Sequence, residues 1–369
     1  MRAGSLRKSL DATHTSRAAI SPGAIIAELL AGAWRRSPPL LNISRADVEA
    51  VTPLLLKSRA APLSWWRILH SDLRASLENG ELHQAYRFNA LETQLRRDDL
   101  KHVFALLRAS GIEPILIKGW GSARLYPEPG LRPYEDIDLC VAPEQFALAE
   151  SALKNIEGRQ YLVDLVHYEV TRFDRRSWDE LYSRSRLVRF DDSDIRIPSA
   201  EDHLRLLCIH LLGHGASRPL WLCDIALEIE SRPNDFDWDL CVGSKQPQAD
   251  WVICAIRLAH RLLRVKVDVT PLANRAAHLP DWVLKRVLER WALPDGCDTQ
   301  RLATRLRHGD KIFKALRSRW PDPIMMAVND ISPLDEKPKL RDYLACYFAP
   351  RRIERFIKDL PRLWWREQD

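Results

Sequence analysis

A chain of 369 residues with 46% hydrophobic and 29% charged content can bury a sizeable core and has the make-up of a globular protein. Its 56 basic and 50 acidic residues leave a net charge of +6, which permits an anionic substrate such as a nucleoside triphosphate or RNA but lacks the concentrated basic charge of a dedicated nucleic-acid binder. Only 14 glycines and seven scattered cysteines without a CxxC pair argue against a repeat architecture, a disulfide framework or a cysteine zinc site.

Residues 1 to about 20 are Ser/Thr/Arg-rich and are expected to be disordered. Arg2, Arg7 and Lys8 are followed by no uninterrupted apolar region, and the apolar stretch from Ala18 to Trp34 is broken by Pro22 and Glu28. A secretory leader or a membrane span is therefore not expected, and the simplest location is the cytoplasm. Residues 21–110 read as a helical region. Ser44 is placed to cap a helix over Arg45 to Lys57, with Asp47 at its third position, and apolar residues recur at spacings of three and four from Leu82 to Leu107.

The period changes in residues 111–198. The run Glu113 to Lys118 between Gly111 and Gly119 reads as a buried strand, and Gly121 to Tyr126 as one or two helical turns. Asp136 to Val141 alternates acidic and apolar residues as a second strand. Pro143 then opens an amphipathic helix to about Ile156, and Tyr161 to Thr171 is a third strand-like run. This succession predicts a small α/β core. From Ser199, which heads a capping-box-like segment, residues 199–369 are again mostly helical: Glu201 to Leu212, Leu220 to Glu230, Asp250 to Leu263 and Pro280 to Trp291.

Chemistry concentrates in the centre. On a strand, Asp136 and Asp138 project from one face while Ile137 and Leu139 enter the core from the other. Two adjacent carboxylates repel unless a cation lies between them, and magnesium, with Mn²⁺ as a substitute, suits two carboxylates plus substrate phosphates. Upstream, Gly121-Ser122 follows a strand and opens a short helix, where backbone N–H groups and the Ser122 hydroxyl can approach phosphates. Thirteen residues separate Ser122 from Asp136.

This arrangement resembles the DNA polymerase beta-like nucleotidyltransferase superfamily. Leu116-Ile117-Lys118-Gly119, Leu125-Tyr126-Pro127, Pro129-Gly130-Leu131-Arg132-Pro133 and Asp136-Ile137-Asp138-Leu139 are similar to a bacterial family known mainly as uncharacterised nucleotidyltransferases. The resemblance implies an α+β fold, a small mixed sheet with helices embedded in mostly helical N- and C-terminal regions. It also implies transfer of a nucleoside monophosphate from a nucleoside triphosphate, ATP among them, with Asp136 and Asp138 on the metal. Lys118, Gly119, Gly121, Ser122 and Arg132 match nucleotide-binding positions. For Arg132 a second role stays open, pairing with Glu135 or another acid to hold the loop.

The resemblance further implies a third carboxylate on a neighbouring strand, as metal ligand or general base. The family places it two residues before a histidine, where this chain has Leu165; Asp164 lies three before His167, and Glu169 two after it. Asp164 is taken first and Glu169 second. His210 and His214 sit four apart on one helix face, with His203 two turns back, and Asp224 could complete a zinc site. Packed or hydrogen-bonded histidines are the simpler reading, and their best functional role would be lining the substrate side of the cleft. The acceptor is expected to be a small molecule, a peptide or a protein rather than a nucleic acid. A non-catalytic nucleotide- or protein-binding module and an RNA-modifying transferase are the other readings.

Overall fold

The computed structural model describes residues 20–154, 161–166, 176–267, 270–274, 279–294 and 322–347. The expected disordered segment, apart from residue 20, lies outside them. Ser21 caps α1 (Pro22–Leu30) by accepting from the Ala24 N–H, with a proline at the first turn where no N–H is needed. Ser44 and Asp47 form a reciprocal capping box on α2 (Arg45–Lys57), the Ser44 N–H donating to Asp47 Oδ2 at 2.8 Å. Then come α3 (Ala61–Leu69), a single turn α4 (Arg74–Leu77) and α5 (Glu81–Ala109), which extends the expected helix at both ends.

The α/β part begins with β1 (Ile115–Leu116), α6 (Trp120–Ala123) and β2 (Ile137–Cys140). A 3₁₀ turn at Pro143–Gln145 leads into α7 (Phe146–Lys154), and β3 (Val163–Val166) follows. The sheet order is β1-β2-β3, antiparallel between β1 and β2 and parallel between β2 and β3. The first strand is shorter than its apolar run because Pro114 has no N–H to donate to a ladder. Its end still pairs beyond Leu116: the Ile117 N–H donates to the Asp138 carbonyl at 3.1 Å. Only Val163–Val166 of the third expected strand is a described strand, and residues 167–171 lie outside the described residues.

Next come α8 (Trp178–Arg184), with its own Ser177–Glu180 capping box, and a hairpin of β4 (Arg186–Phe190) and β5 (Ser193–Ile197). The remaining helices are α9 (Ala200–Gly213), α10 (Pro219–Glu230), α11 (Trp238–Val242), α12 (Gln248–Leu263), α13 (Asp281–Trp291), α14 (Pro323–Asn329) and α15 (Leu340–Tyr347). The whole is α+β, a small mixed sheet set between helical regions, as the sequence implies.

The two helical regions are not separate bodies. Leu29 and Leu30 of α1, Val51 and Leu55 of α2, Leu204 and Leu211 of α9 and Ile256 of α12 lie in one continuous apolar core. The Trp34 indole N–H donates to Glu230 at 3.0 Å, and Arg35 pairs with the same carboxylate. A second core joins Leu100, Val103, Phe104 and Leu107 of α5 to Ile137 and Leu139 of β2 and to the hairpin residues Phe190 and Ile195. Helix α5 thus bridges both cores, its Leu82 contributing to the first. Cys140, Cys208, Cys223, Cys241 and Cys254 are buried. Among the described residues no helix is long and apolar enough to cross a membrane.

Candidate active site

With Ile137 and Leu139 anchored in the core, Asp138 emerges on the opposite face of β2, 4% exposed, while Asp136 immediately precedes the strand and is exposed. The parallel register sets Asp138 beside Asp164 of β3, and paired residues of adjacent strands share a face. Asp164 is open to solvent. Burial is the chief cause raising the Asp138 pKa, opposed by Lys118 and reinforced by the like charges of Asp136 and Asp164. The three carboxylates therefore share one electrostatic neighbourhood. Lys118 Nζ lies 2.7 Å from Asp138 Oδ1, an ion pair whose direction of approach does not meet hydrogen-bond geometry. The Ile117–Asp138 backbone bond places the lysine there.

Gly119 makes the turn after β1. Its φ of 65° and ψ of −115° belong to a region that side chains avoid, whereas Gly121 has no positive φ. A Cβ on Gly121 would meet only ordinary contacts, the nearest being His203 Nε2 at 3.6 Å. Gly119→Ala is therefore expected to destabilise the protein by about 1–3 kcal/mol and Gly121→Ala by under about 1 kcal/mol. Urea unfolding of the two variants checks this, and equal losses would show that the turn is not held at Gly119. The N–H groups of Gly121 and Ser122 donate to the carbonyls of Lys118 and Gly119, each at 3.2 Å. The Ser122 hydroxyl is buried without a partner, so a phosphate reaches it only if the turn shifts.

Arg132 takes the loop-holding role, with Asp224 and not Glu135 as its acid. Its Nη2 lies 2.7 Å from Asp224 Oδ2, and its Nε donates to both carboxylate oxygens at 3.2 Å. The Tyr126 hydroxyl donates to Asp224 Oδ1 at 2.8 Å. Burial works to lower the Arg132 pKa, but the Asp224 charge outweighs it and keeps the guanidinium firmly protonated. Burial, with the Asp224 charge, pushes the Tyr126 phenol well above its usual range. The side chains of Arg132 and Asp224 are thus spent on one another, and Lys118 is the cation in direct contact with Asp138. Glu135 pairs instead with Arg59, a residue with positive φ.

His210 and His214 lie together at the end of α9, ring centroids 4.7 Å apart, and both contact Trp221. Asp224, their foreseen zinc partner, is held by Arg132 and Tyr126. Among the described residues no group of three or more His, Cys, Asp or Glu side chains is placed to hold a metal ion. His203 is buried, its Nδ1 3.1 Å from Glu228 Oε2, and it backs the Gly119–Ser122 turn. Burial acts to raise the Glu228 pKa, but the charges of His203, Arg124 and Arg186 hold it below the usual value. His167 and Glu169 lie outside the described residues. Trp221, Arg218 and Glu228 were not singled out by the sequence, where each stands alone with no motif around it.

A carboxylate-bearing strand at the centre of a small mixed sheet, a lysine against its buried aspartate and a glycine turn before it together define a nucleotidyltransferase-like α+β class. A family model described as uncharacterised nucleotidyltransferase matches residues 44–169 and, a second time, residues 155–264. These matches span more than half of the chain, which belongs to that family. Membership supports a nucleotidyltransferase function. No curated protein and no solved structure matches the chain.

Proposed function

We propose that the protein is a magnesium-dependent nucleotidyltransferase that moves a nucleoside monophosphate from a nucleoside triphosphate to a hydroxyl or phosphate of an acceptor. The observation that carries this reading is the register of β2 and β3, which sets Asp164 beside Asp138 with Asp136 one step before the strand. Asp136 and Asp138 offer hard oxygen donors. A magnesium ion takes one or two carboxylates and completes its shell with water and phosphate oxygens, so this donor set fits it, and Mn²⁺ as a substitute. When bound, the ion would neutralise the triphosphate and orient it for in-line attack.

The chain's own groups supply the rest. Lys118 is within reach of both Asp138 and a phosphate docked there. Asp164, solvent-open, accepts the proton of an acceptor hydroxyl as its oxygen bonds to the α-phosphorus; the bond from that phosphorus to the bridging oxygen breaks, and pyrophosphate leaves. The helical regions flanking the sheet provide the acceptor's site, for a small molecule, peptide or protein.

A second reading, a nucleotide- or protein-binding module without turnover, draws support from the occupied N–H groups of Gly121 and Ser122. Incubation with α-labelled triphosphates, Mg²⁺ and a cell extract separates the two. Transfer of label to an acceptor with release of pyrophosphate is the expected result, abolished by a chelator. Magnesium-dependent binding without any labelled product would establish the module instead. A nucleic-acid acceptor would show itself as binding that weakens steeply with salt.

A further inference from the structure

The corner between α9 and α10 carries a group of rings in which the metal pair has no part. His214 is the C-cap of α9 and Arg218 the N-cap of α10. The Trp221 ring lies 4.3 Å from His210 and 5.2 Å from His214, in edge-on geometry with each, and the Arg218 guanidinium sits over it at 5.0 Å. From Pro219 to Ile229 every residue of α10 is buried except Trp221. Trp221 is half-buried, one part of its ring packed against the first core and the rest turned to the surface. His214 is open to solvent on one side, while its ring packs against His210 and Trp221 on the other.

This corner lies near Lys118, the lysine that pairs with Asp138. His210 and His214 both lie within electrostatic range of Lys118 and Arg218, and Arg59 lies within range of both Arg218 and Asp136. Burial, aided by Lys118, holds both imidazoles below their usual pKa, so near neutral pH they are uncharged rings. Uncharged rings next to a tryptophan and an arginine suit a flat π-system better than a phosphate, for which Lys118 is already at hand.

We propose that His210, His214, Arg218 and Trp221 form a stacking subsite for a flat heteroaromatic ring, near Lys118. The ring comes either from the base of the nucleoside triphosphate or from the acceptor. The proposal rests on the nucleotidyltransferase reading for its place in the reaction, and the test separates the two.

Binding of the four ribonucleoside triphosphates, their nucleosides and inorganic tripolyphosphate, each with Mg²⁺, is measured by equilibrium dialysis on wild type, Trp221→Ala, Trp221→Phe and His214→Ala. If the ring is the base, Trp221→Ala weakens nucleotide and nucleoside binding about tenfold or more, and Trp221→Phe restores most of it. Tripolyphosphate binding stays as in wild type. If the ring belongs to the acceptor, nucleotide binding holds in every variant, while labelled product formed from extract falls about tenfold in Trp221→Ala and recovers in Trp221→Phe. His214→Ala, at an exposed position, shifts the same quantity in the same direction without risk to folding.

Variants that match wild type in every binding and product assay overturn the subsite. So does an equal loss of tripolyphosphate and nucleotide binding in Trp221→Ala, which marks a structural role. Wild-type protein that binds nucleosides through Trp221 but not tripolyphosphate keeps the subsite and removes the triphosphate site.

Discussion

Replacing Asp138 with Asn is expected to lower magnesium-dependent transfer by about a thousandfold or more, the loss of roughly 4 kcal/mol of transition-state stabilisation. The fold should hardly register the change. Asparagine has the same shape, and burial already disfavours charge at this position, being the main cause of the raised Asp138 pKa. A carboxyl raised in the folded state contributes stability that is fully present in acid and is lost as pH climbs from the usual aspartate range through the raised value. The variant lacks this component, so above that window its urea midpoint should equal or slightly exceed that of wild type. Lys118, one-fifth exposed at its side chain, can turn to solvent when its partner is neutral. The measurement is transfer rate beside urea unfolding. A variant that transfers within threefold of wild type would remove Asp138 from the metal site. One that unfolds readily would make its role structural.

The opposite signature is expected at Asp224. Its side chain is fully buried, and it is the acid that satisfies Arg132, itself 8% exposed, together with the Tyr126 hydroxyl. Removing it as Asp224→Ala strands a guanidinium and a phenol away from water, which should cost about 3–5 kcal/mol of stability. The cost comes from the orphaned charge and not from the intrinsic worth of the pair. A paired replacement, Arg132→Met with Asp224→Leu, is therefore expected to recover most of the loss. Urea unfolding of the single and double variants decides it. A single-variant loss below about 1 kcal/mol would mean that water or another group satisfies Arg132, and that the loop is not pinned from α10.

What could be read in the sequence was mostly local. The Ser44–Asp47 box is complete within four residues, and the observed helix Arg45–Lys57 coincides with the expected one. The alternation at Asp136 to Val141 placed Ile137 and Leu139 inward, where they are. The hairpin β4–β5 went unseen because its turn, Asp191-Asp192, lacks the glycine that usually advertises one; Asp191 itself adopts the positive φ. Register between strands is longer-range still: nothing in residues 161–166 says that Asp164 aligns with Asp138. The acid for Arg132 stands 92 positions away on α10, whereas Glu135 lies only three residues on in the same loop. The spacing of His210 and His214 was plain, but the ring they share with Trp221 depends on how α9 meets α10.

The common core of the first and last helical regions bears on how the chain acquires its structure during synthesis. Trp34 and Arg35 find their carboxylate at Glu230, almost two hundred residues later. Until α10, α12 and α13 have left the ribosome, the side of α1 that they cover stays open, although α2 and α3 already pack against its other side. The strands and hairpin at 115–197 emerge earlier and pair among themselves, with α5 as their backing. The nascent chain thus carries a nearly complete carboxylate sheet while one apolar side of α1 waits, open and prone to association. Truncation before about residue 260 should leave that side of α1 permanently open, and a ribosome-bound chaperone has most reason to hold the chain during that interval.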